Sequence, residues 1–99
     1  MDKPIKLGRA EIIQKLRYRA DCLGFKIRVG MLNGLTEVVW MHDPGTGRRS
    51  RLILLEDLAG LTDSDESVEI LIGLSTAMGD EIKQGIFPGK TCPPPESAS

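Results

Sequence analysis

Histidine and cysteine, the side chains that most often serve in catalysis or bind zinc, are scarce in this 99-residue chain, which contains one histidine and two cysteines. A zinc site needs several such ligands at matched spacing, and a nucleophilic triad needs a base beside its nucleophile. His42 stands alone beside Asp43, and the sequence has no Gly-x-Ser-x-Gly elbow. We therefore expect no metal, no cofactor and no catalytic residues, and a protein that is not an enzyme.

Long apolar runs are also missing. The longest stretches, such as Leu52–Leu55 and Ile70–Ile72, are far shorter than the ~20 residues that span a bilayer. The first residues lead into a charged amphipathic segment, which is unlike the apolar core of a secretory signal. Cys22 falls in a predicted helix among apolar neighbours and Cys92 in a proline-rich tail, so a disulfide is not expected. These features indicate a cytoplasmic protein.

Composition and length are those of one globular domain, with 40% hydrophobic and 27% charged residues. Pro4 and Gly8 interrupt residues 1–8, which we interpret as an N-terminal leader. Residues 9–87 form the predicted domain. Residues 88–99 are rich in proline and poor in apolar side chains, so we expect a disordered tail there.

The first part of the domain is predicted to be a helix followed by a β-meander. Apolar residues recur every three or four positions from Ile12 to Leu23, and Gly24 suits a helix end. Side chains then alternate through Phe25–Met31, and an Asn-Gly turn leads into a second strand, Thr36–His42. A third strand is predicted at Arg49–Leu55, and its continuous apolar run suggests a central or doubly covered strand.

The last part of the domain is predicted to be a second helix. Asp63 or Ser64 can cap its start, and Gly85 suits its end. A competing interpretation makes Val68–Leu74 a fourth strand. The preferred fold class is α+β, a single two-layer domain in α-β-β-β-α order, with a three-stranded antiparallel meander and two helices packed on one face.

Charge is divided unevenly along the chain. Residues 1–30 carry eight basic and three acidic side chains, whereas residues 56–84 carry eight acidic side chains and one basic side chain. Such a division can steer an approaching partner. It can equally neutralise itself if the two segments pack side by side in the fold.

Two features of the meander are candidates for binding. The second strand is apolar on both sides, with Trp40 on one side and Met41 on the other, and one layer of helices cannot cover both. The second side then packs Tyr18 or the tail, or it forms a dimer or target surface. The loop of residues 45–50 places two glycines beside two arginines, which suits either a plain hairpin turn or a backbone nest for phosphate.

By elimination, the sequence predicts a small protein-interaction module, such as an accessory regulator, an inhibitor or a chaperone-like protein, and a homodimer is expected. The candidate partner-binding residues are Trp40, Arg48, Arg49, Arg51, Lys15, Arg17 and Arg19. The alternative is a nucleic-acid-binding protein that uses the basic first helix and the Arg48-Arg49 hairpin. Double-stranded-RNA-binding domains share the predicted element order, but they start their second helix with lysines, where this chain has acids. A further alternative is an enzyme subunit whose site is completed by a partner chain.

Overall fold

The computed structural model describes residues 5–87, and its main elements follow the order α-β-β-β-α. The helices are α1 (Arg9–Leu23) and α2 (Asp65–Gln84). The strands are β1 (Lys26–Leu32), β2 (Thr36–His42) and β3 (Ile53–Leu54), and a 3-10 turn follows at Leu55–Leu58. The helices pack against a three-stranded antiparallel sheet, which confirms the predicted fold class. The predicted tail, with Cys92, lies outside the described residues.

The β1–β2 hairpin forms as its turn residues predict. Asn33 and Gly34 both have positive φ, 56° and 72°, and Leu35 donates its backbone N–H to the carbonyl of Leu32 over 3.2 Å. Positive φ at two successive positions is the requirement that makes Asn-Gly favourable in tight hairpins. Antiparallel pairing then runs from Leu32 opposite Thr36 to the far end of both strands.

The third strand is much shorter than predicted, and it is not central. Ile53–Leu54 form the only ladder with β2 within the described residues, Arg49 adds just an isolated bridge to His42, and β2 lies in the middle of the sheet order β1-β2-β3. The reason lies at Ser50, whose hydroxyl accepts the backbone N–H of Met41 over 2.8 Å. A side-chain oxygen there replaces the carbonyl that a regular ladder would supply, so regular pairing is interrupted before Ile53.

Both helices begin and end at residues suited to those positions. The N–H of Gly8 donates to Oε1 of Glu11 at the start of α1, and Ser64 caps α2 by accepting from the N–H of Ser67. Gly24 and Gly85 end the two helices in the left-handed conformation. The strand interpretation of Val68–Leu74 is therefore wrong, because this segment is an internal part of α2.

The two helices run side by side in the same direction. Arg19 of α1 bonds to Ser75 of α2, and further along Leu23 meets Gly79. A Cβ atom at Gly79 would lie 3.1 Å from Cδ1 of Leu23, so the missing side chain allows this close approach.

Cys22, expected among apolar neighbours, is a free and exposed thiol. It lies outside the stripe formed by Ile12, Leu16 and Ala20, which α1 buries.

The core lies between the helices and the sheet, and β2 is buried on both sides. Met41 belongs to the core cluster, whereas Val38 and Trp40, which lie outside that cluster, are also buried, with Trp40 only 2% exposed. Tyr18 does not cover them, because its side chain is 69% exposed. Trp40 is therefore buried within the single chain, without a second copy or a target protein. No helix within residues 5–87 is long and apolar enough to cross a membrane.

Candidate functional site

A groove of about 620 Å³ lies between the outer sides of α1 and α2, and we call it the interhelix groove. It exists because the two helices run in parallel and meet along only one side of each. Its lining is contributed by Glu11, Gln14, Lys15, Tyr18 and Arg19 of α1 and by Val68, Leu71 and Ile72 of α2.

The groove is apolar at its centre. Leu71 is buried there, while the side chains of Tyr18 and Ile72 remain 69% and 40% exposed. Exposed aromatic and branched apolar side chains beside a concave surface are typical of protein-binding sites, since their burial by a partner supplies much of the affinity. Ile72 is exposed because Ile70, Leu71 and Ile72 are consecutive on a helix and cannot all face the core.

Two basic side chains flank this apolar centre. Nε of Arg19 donates to Oγ of Ser75 over 3.2 Å, and the buried Ser75 hydroxyl in turn donates to the carbonyl of Ile72 over 2.9 Å. This chain of bonds holds the Arg19 guanidinium across the two helices. Lys15 is exposed, and the ion pairs found within residues 5–87 do not include it. The groove therefore offers one cation that is hydrogen-bonded across the helices and one that is exposed to solvent.

Arg49, a predicted contact residue, is buried and makes contacts within the chain. Its side chain is buried, Nη1 donates to the carbonyl of Ser50 over 2.9 Å, and the guanidinium lies 5.1 Å from the ring centroid of Phe87. A cation over an aromatic ring is attracted by the ring quadrupole. This interaction ties the end of the described chain to the meander, and it removes Arg49 from the surface available to a partner.

Arg51 is also engaged within the chain. Its Nη2 lies 2.6 Å from Oε2 of the buried Glu81, and its backbone N–H donates to Oε1 over 3.1 Å. Burial by itself would raise the pKa of Glu81, but the hydrogen bonds and the charge of Arg51 outweigh burial and hold that pKa below its usual value. The charge of Arg51 is thus neutralised by Glu81.

The glycine-rich hairpin is a closed turn rather than a phosphate nest. The carboxylate of Asp43 accepts bonds from the N–H of Gly45 and the hydroxyl of Thr46, over 2.9 and 2.8 Å. The Thr46 bond, followed by the Gly45 bond, lowers the pKa of Asp43. A carboxylate therefore already occupies donors that a phosphate would need. Arg48 is exposed beside the turn, close to Gly85.

His42 is partly buried at the end of β2. Its Nδ1 atom is buried without a hydrogen-bond partner. Burial, followed by the nearby positive charge of Arg28, lowers its pKa, and Asp43 only partly opposes this. Within residues 5–87, no group of three His, Cys, Asp or Glu side chains could hold a metal ion.

The structure thus brings together only two of the predicted contact residues, Lys15 and Arg19. Arg17 is exposed but does not line the groove, and Trp40 is buried. Sequence reasoning missed Tyr18 as a surface contact and all three residues that α2 contributes. The run Ile70–Ile72 was the available signal, because three consecutive apolar residues on a helix leave at least one exposed.

The chain matches no known protein family, and neither a curated protein nor a solved structure shows significant similarity to it.

Proposed function

We propose that this protein binds another protein through the interhelix groove, and that the bound segment presents apolar side chains flanked by acids. The observation that supports this most directly is the exposure of Tyr18 and Ile72 on either side of buried Leu71. Helical segments commonly present their apolar stripe to such a groove.

The charges of the groove favour an acidic partner. Lys15 and the bonded Arg19 supply positive charge, while the only acid in the lining, Glu11, accepts the N–H of Gly8 at the helix start. The apolar centre would supply most of the affinity, and the cations at its rim would raise the association rate and select against basic segments. Nothing in this role requires a cofactor, and the cellular effect would be that of a regulator or inhibitor that occupies a surface.

A pair of synthetic helical peptides tests the proposal. Both carry the same apolar stripe, but one has glutamate and the other lysine at the flanking positions. We expect the glutamate peptide to bind, and its titration to shift the amide NMR signals of Tyr18 and Ile72 more than those of Arg49. The lysine peptide should bind at least tenfold more weakly, since the two cations repel it.

A matched pair of variants separates groove binding from general charge effects. Lys15→Glu reverses a charge in the groove, whereas Lys83→Glu reverses an exposed charge that does not line it. Lys15→Glu should weaken the glutamate peptide about tenfold, and Lys83→Glu should change its affinity less than twofold. Equal effects of both variants, or shifts outside the groove, would contradict the proposal.

A further inference from the structure

Exposed carboxylates gather at one end of the molecule. Residues 5–7 hydrogen-bond to residues 61–63, which places the start of α2 beside the start of α1. Arg9, the first residue of α1, bonds to Glu37 near the hairpin turn. Because β3 runs antiparallel to β2, the chain that follows β3 also returns to this end. The exposed acids located here, which we call the acidic end, are Glu56, Asp57, Asp63, Asp65 and Glu66.

Two leucines protrude from this same end. Leu35 is 87% exposed and Leu32 is 37% exposed. Strand pairing resumes with Leu32 opposite Thr36, so Leu35 is an extra residue outside the ladder. The positive φ angles of Asn33 and Gly34 and the Leu35–Leu32 backbone bond fix this tip, and the Arg9–Glu37 pair anchors its base to α1. One exposed leucine is ordinary, but two on a fixed tip form a rigid apolar contact.

The acidic end and the interhelix groove are complementary surfaces. One presents the leucine tip among carboxylates, and the other presents an apolar centre beside Lys15 and Arg19. Although the basic α1 and the acidic α2 lie side by side, the ion pairs identified within residues 5–87 do not join the two charged segments. Ion pairs found in the described part of the chain join Arg9 to Glu37, Lys26 to Asp21 and Arg51 to Glu81, and none of these three joins a base of residues 1–30 to an acid of residues 56–84.

We propose that a second copy of this chain occupies the groove, with its hairpin tip, Leu32–Leu35, placed against Tyr18 and Ile72. This inference rests on the proposed function and names the partner of the same site. The contact is reciprocal, so that each copy inserts its tip into the groove of the other about a two-fold axis. Arg19 lies ten residues along α1 from Arg9, about 15 Å at the helical rise, so an antiparallel arrangement of the two α1 helices brings each acidic end toward the other copy's cations.

Sedimentation velocity of the full chain over a range of concentrations tests the dimer. The wild type should be dimeric at low salt and dissociate more readily as salt rises, because exposed charges are screened. Leu35→Asp should weaken dimerisation at least tenfold, and so should Lys15→Glu. Ile70→Asp, which places the same charge at an exposed apolar position of α2 outside both surfaces, should have little effect.

Mixing the two weakened variants gives a sharper test. Leu35→Asp retains an intact groove and Lys15→Glu retains an intact tip, so the mixed pair keeps one of its two contacts. Mixed dimers should therefore form more readily than either variant associates alone. The inference would be overturned if the mixture associated no more readily than either variant alone, or if the wild type stayed monomeric at every concentration. If the monomeric wild type still bound the glutamate peptide, the proposed function would stand while the second copy would be excluded as its partner.

Discussion

The side chain and the backbone of Arg51 both bind the carboxylate of Glu81, which lies 30 residues further along the chain. Nε of Arg51 donates to Oε2 over 2.8 Å, and the backbone N–H donates to Oε1 over 3.1 Å. The carboxylate is buried while the guanidinium is half-exposed. This pair therefore joins the segment before β3 to the last turns of α2, in place of the strand pairing that is absent there.

Replacing Arg51 with methionine should destabilise the fold by about 1–3 kcal/mol, because a buried carboxylate would lose its charged partner. Urea unfolding followed by circular dichroism measures this change. Arg17→Met, at an exposed position of α1, is the matched control and should change stability by less than about 0.5 kcal/mol. Equal effects from the two substitutions would mean that the Glu81 pair contributes nothing to the fold.

The same pair predicts a response to acid. The pKa of Glu81 is lowered in the folded state, so the unfolded chain takes up this proton at a higher pH than the folded one. The stabilisation is present above the ordinary glutamate pKa of 4.5 and is lost as pH falls through the folded value. Glu81→Gln should make unfolding free energy less dependent on pH below that point. A variant that loses stability with acid as steeply as the wild type would contradict this.

Ser50 provides a second stability prediction. Its buried hydroxyl accepts the Met41 backbone N–H and donates to the carbonyl of Arg51. Ser50→Ala would leave a buried N–H without that partner, at a cost of about 1–3 kcal/mol. Thr76→Ala, at an exposed hydroxyl of α2, should cost less than about 0.5 kcal/mol. Equilibrium unfolding of both variants tests whether the Ser50 hydroxyl replaces a backbone hydrogen bond between strands, and equal losses of stability would contradict this.

Ser50 also illustrates which features of the structure could not be predicted from the sequence. The apolar spacing of α1 and the Asn33-Gly34 turn are local signals. The helix α1 and the strand β2 formed with the predicted limits, and β1 lies one residue further along the chain than predicted. The interruption of β3 depends on a hydroxyl that meets a different strand, and the burial of Arg49 depends on Phe87. Such contacts join distant parts of the chain, so spacing along the sequence carries no sign of them. The groove was missed for the same reason, because it requires two helices lying in parallel.

His42 should make stability depend on pH from its ordinary pKa of 6.5 downward. Its pKa is lowered from 6.5 in the folded state, mainly by burial, so the unfolded chain binds this proton first as pH falls. Stability should therefore decrease as pH falls through 6.5 and level off once the folded histidine is also protonated. Because the chain has one histidine, His42→Asn should abolish this decrease. Thermal unfolding of both proteins at intervals of pH measures it, and parallel curves would contradict the assignment.

Two glycines of α2 should respond oppositely to alanine. Gly73 is exposed in the middle of the helix, and an added Cβ would meet nothing within 4 Å, so Gly73→Ala should stabilise the fold by about 0.5–1 kcal/mol. Gly85 has a φ of 69°, and its added Cβ would lie 3.2 Å from Cζ of Arg48. Gly85→Ala should therefore destabilise the fold by about 1–2 kcal/mol. Urea midpoints that move in the same direction for both would show that conformation at the helix end does not decide the outcome.

Binding to duplex nucleic acid should be absent even at low salt. The basic side chains of the protein do not form one continuous surface, since Arg49 is buried and Arg51 is paired with Glu81. The start of α2 presents exposed Asp65 and Glu66, which would repel phosphate. Fluorescence anisotropy with a labelled duplex tests this, and an affinity that rises steeply as salt is lowered would restore the nucleic-acid alternative. The double variant Asp65→Lys, Glu66→Lys serves as the positive control. This variant replaces two exposed acidic side chains by lysines beside the cations of α1. It should gain weak, salt-dependent binding to the duplex if those acids are what exclude it.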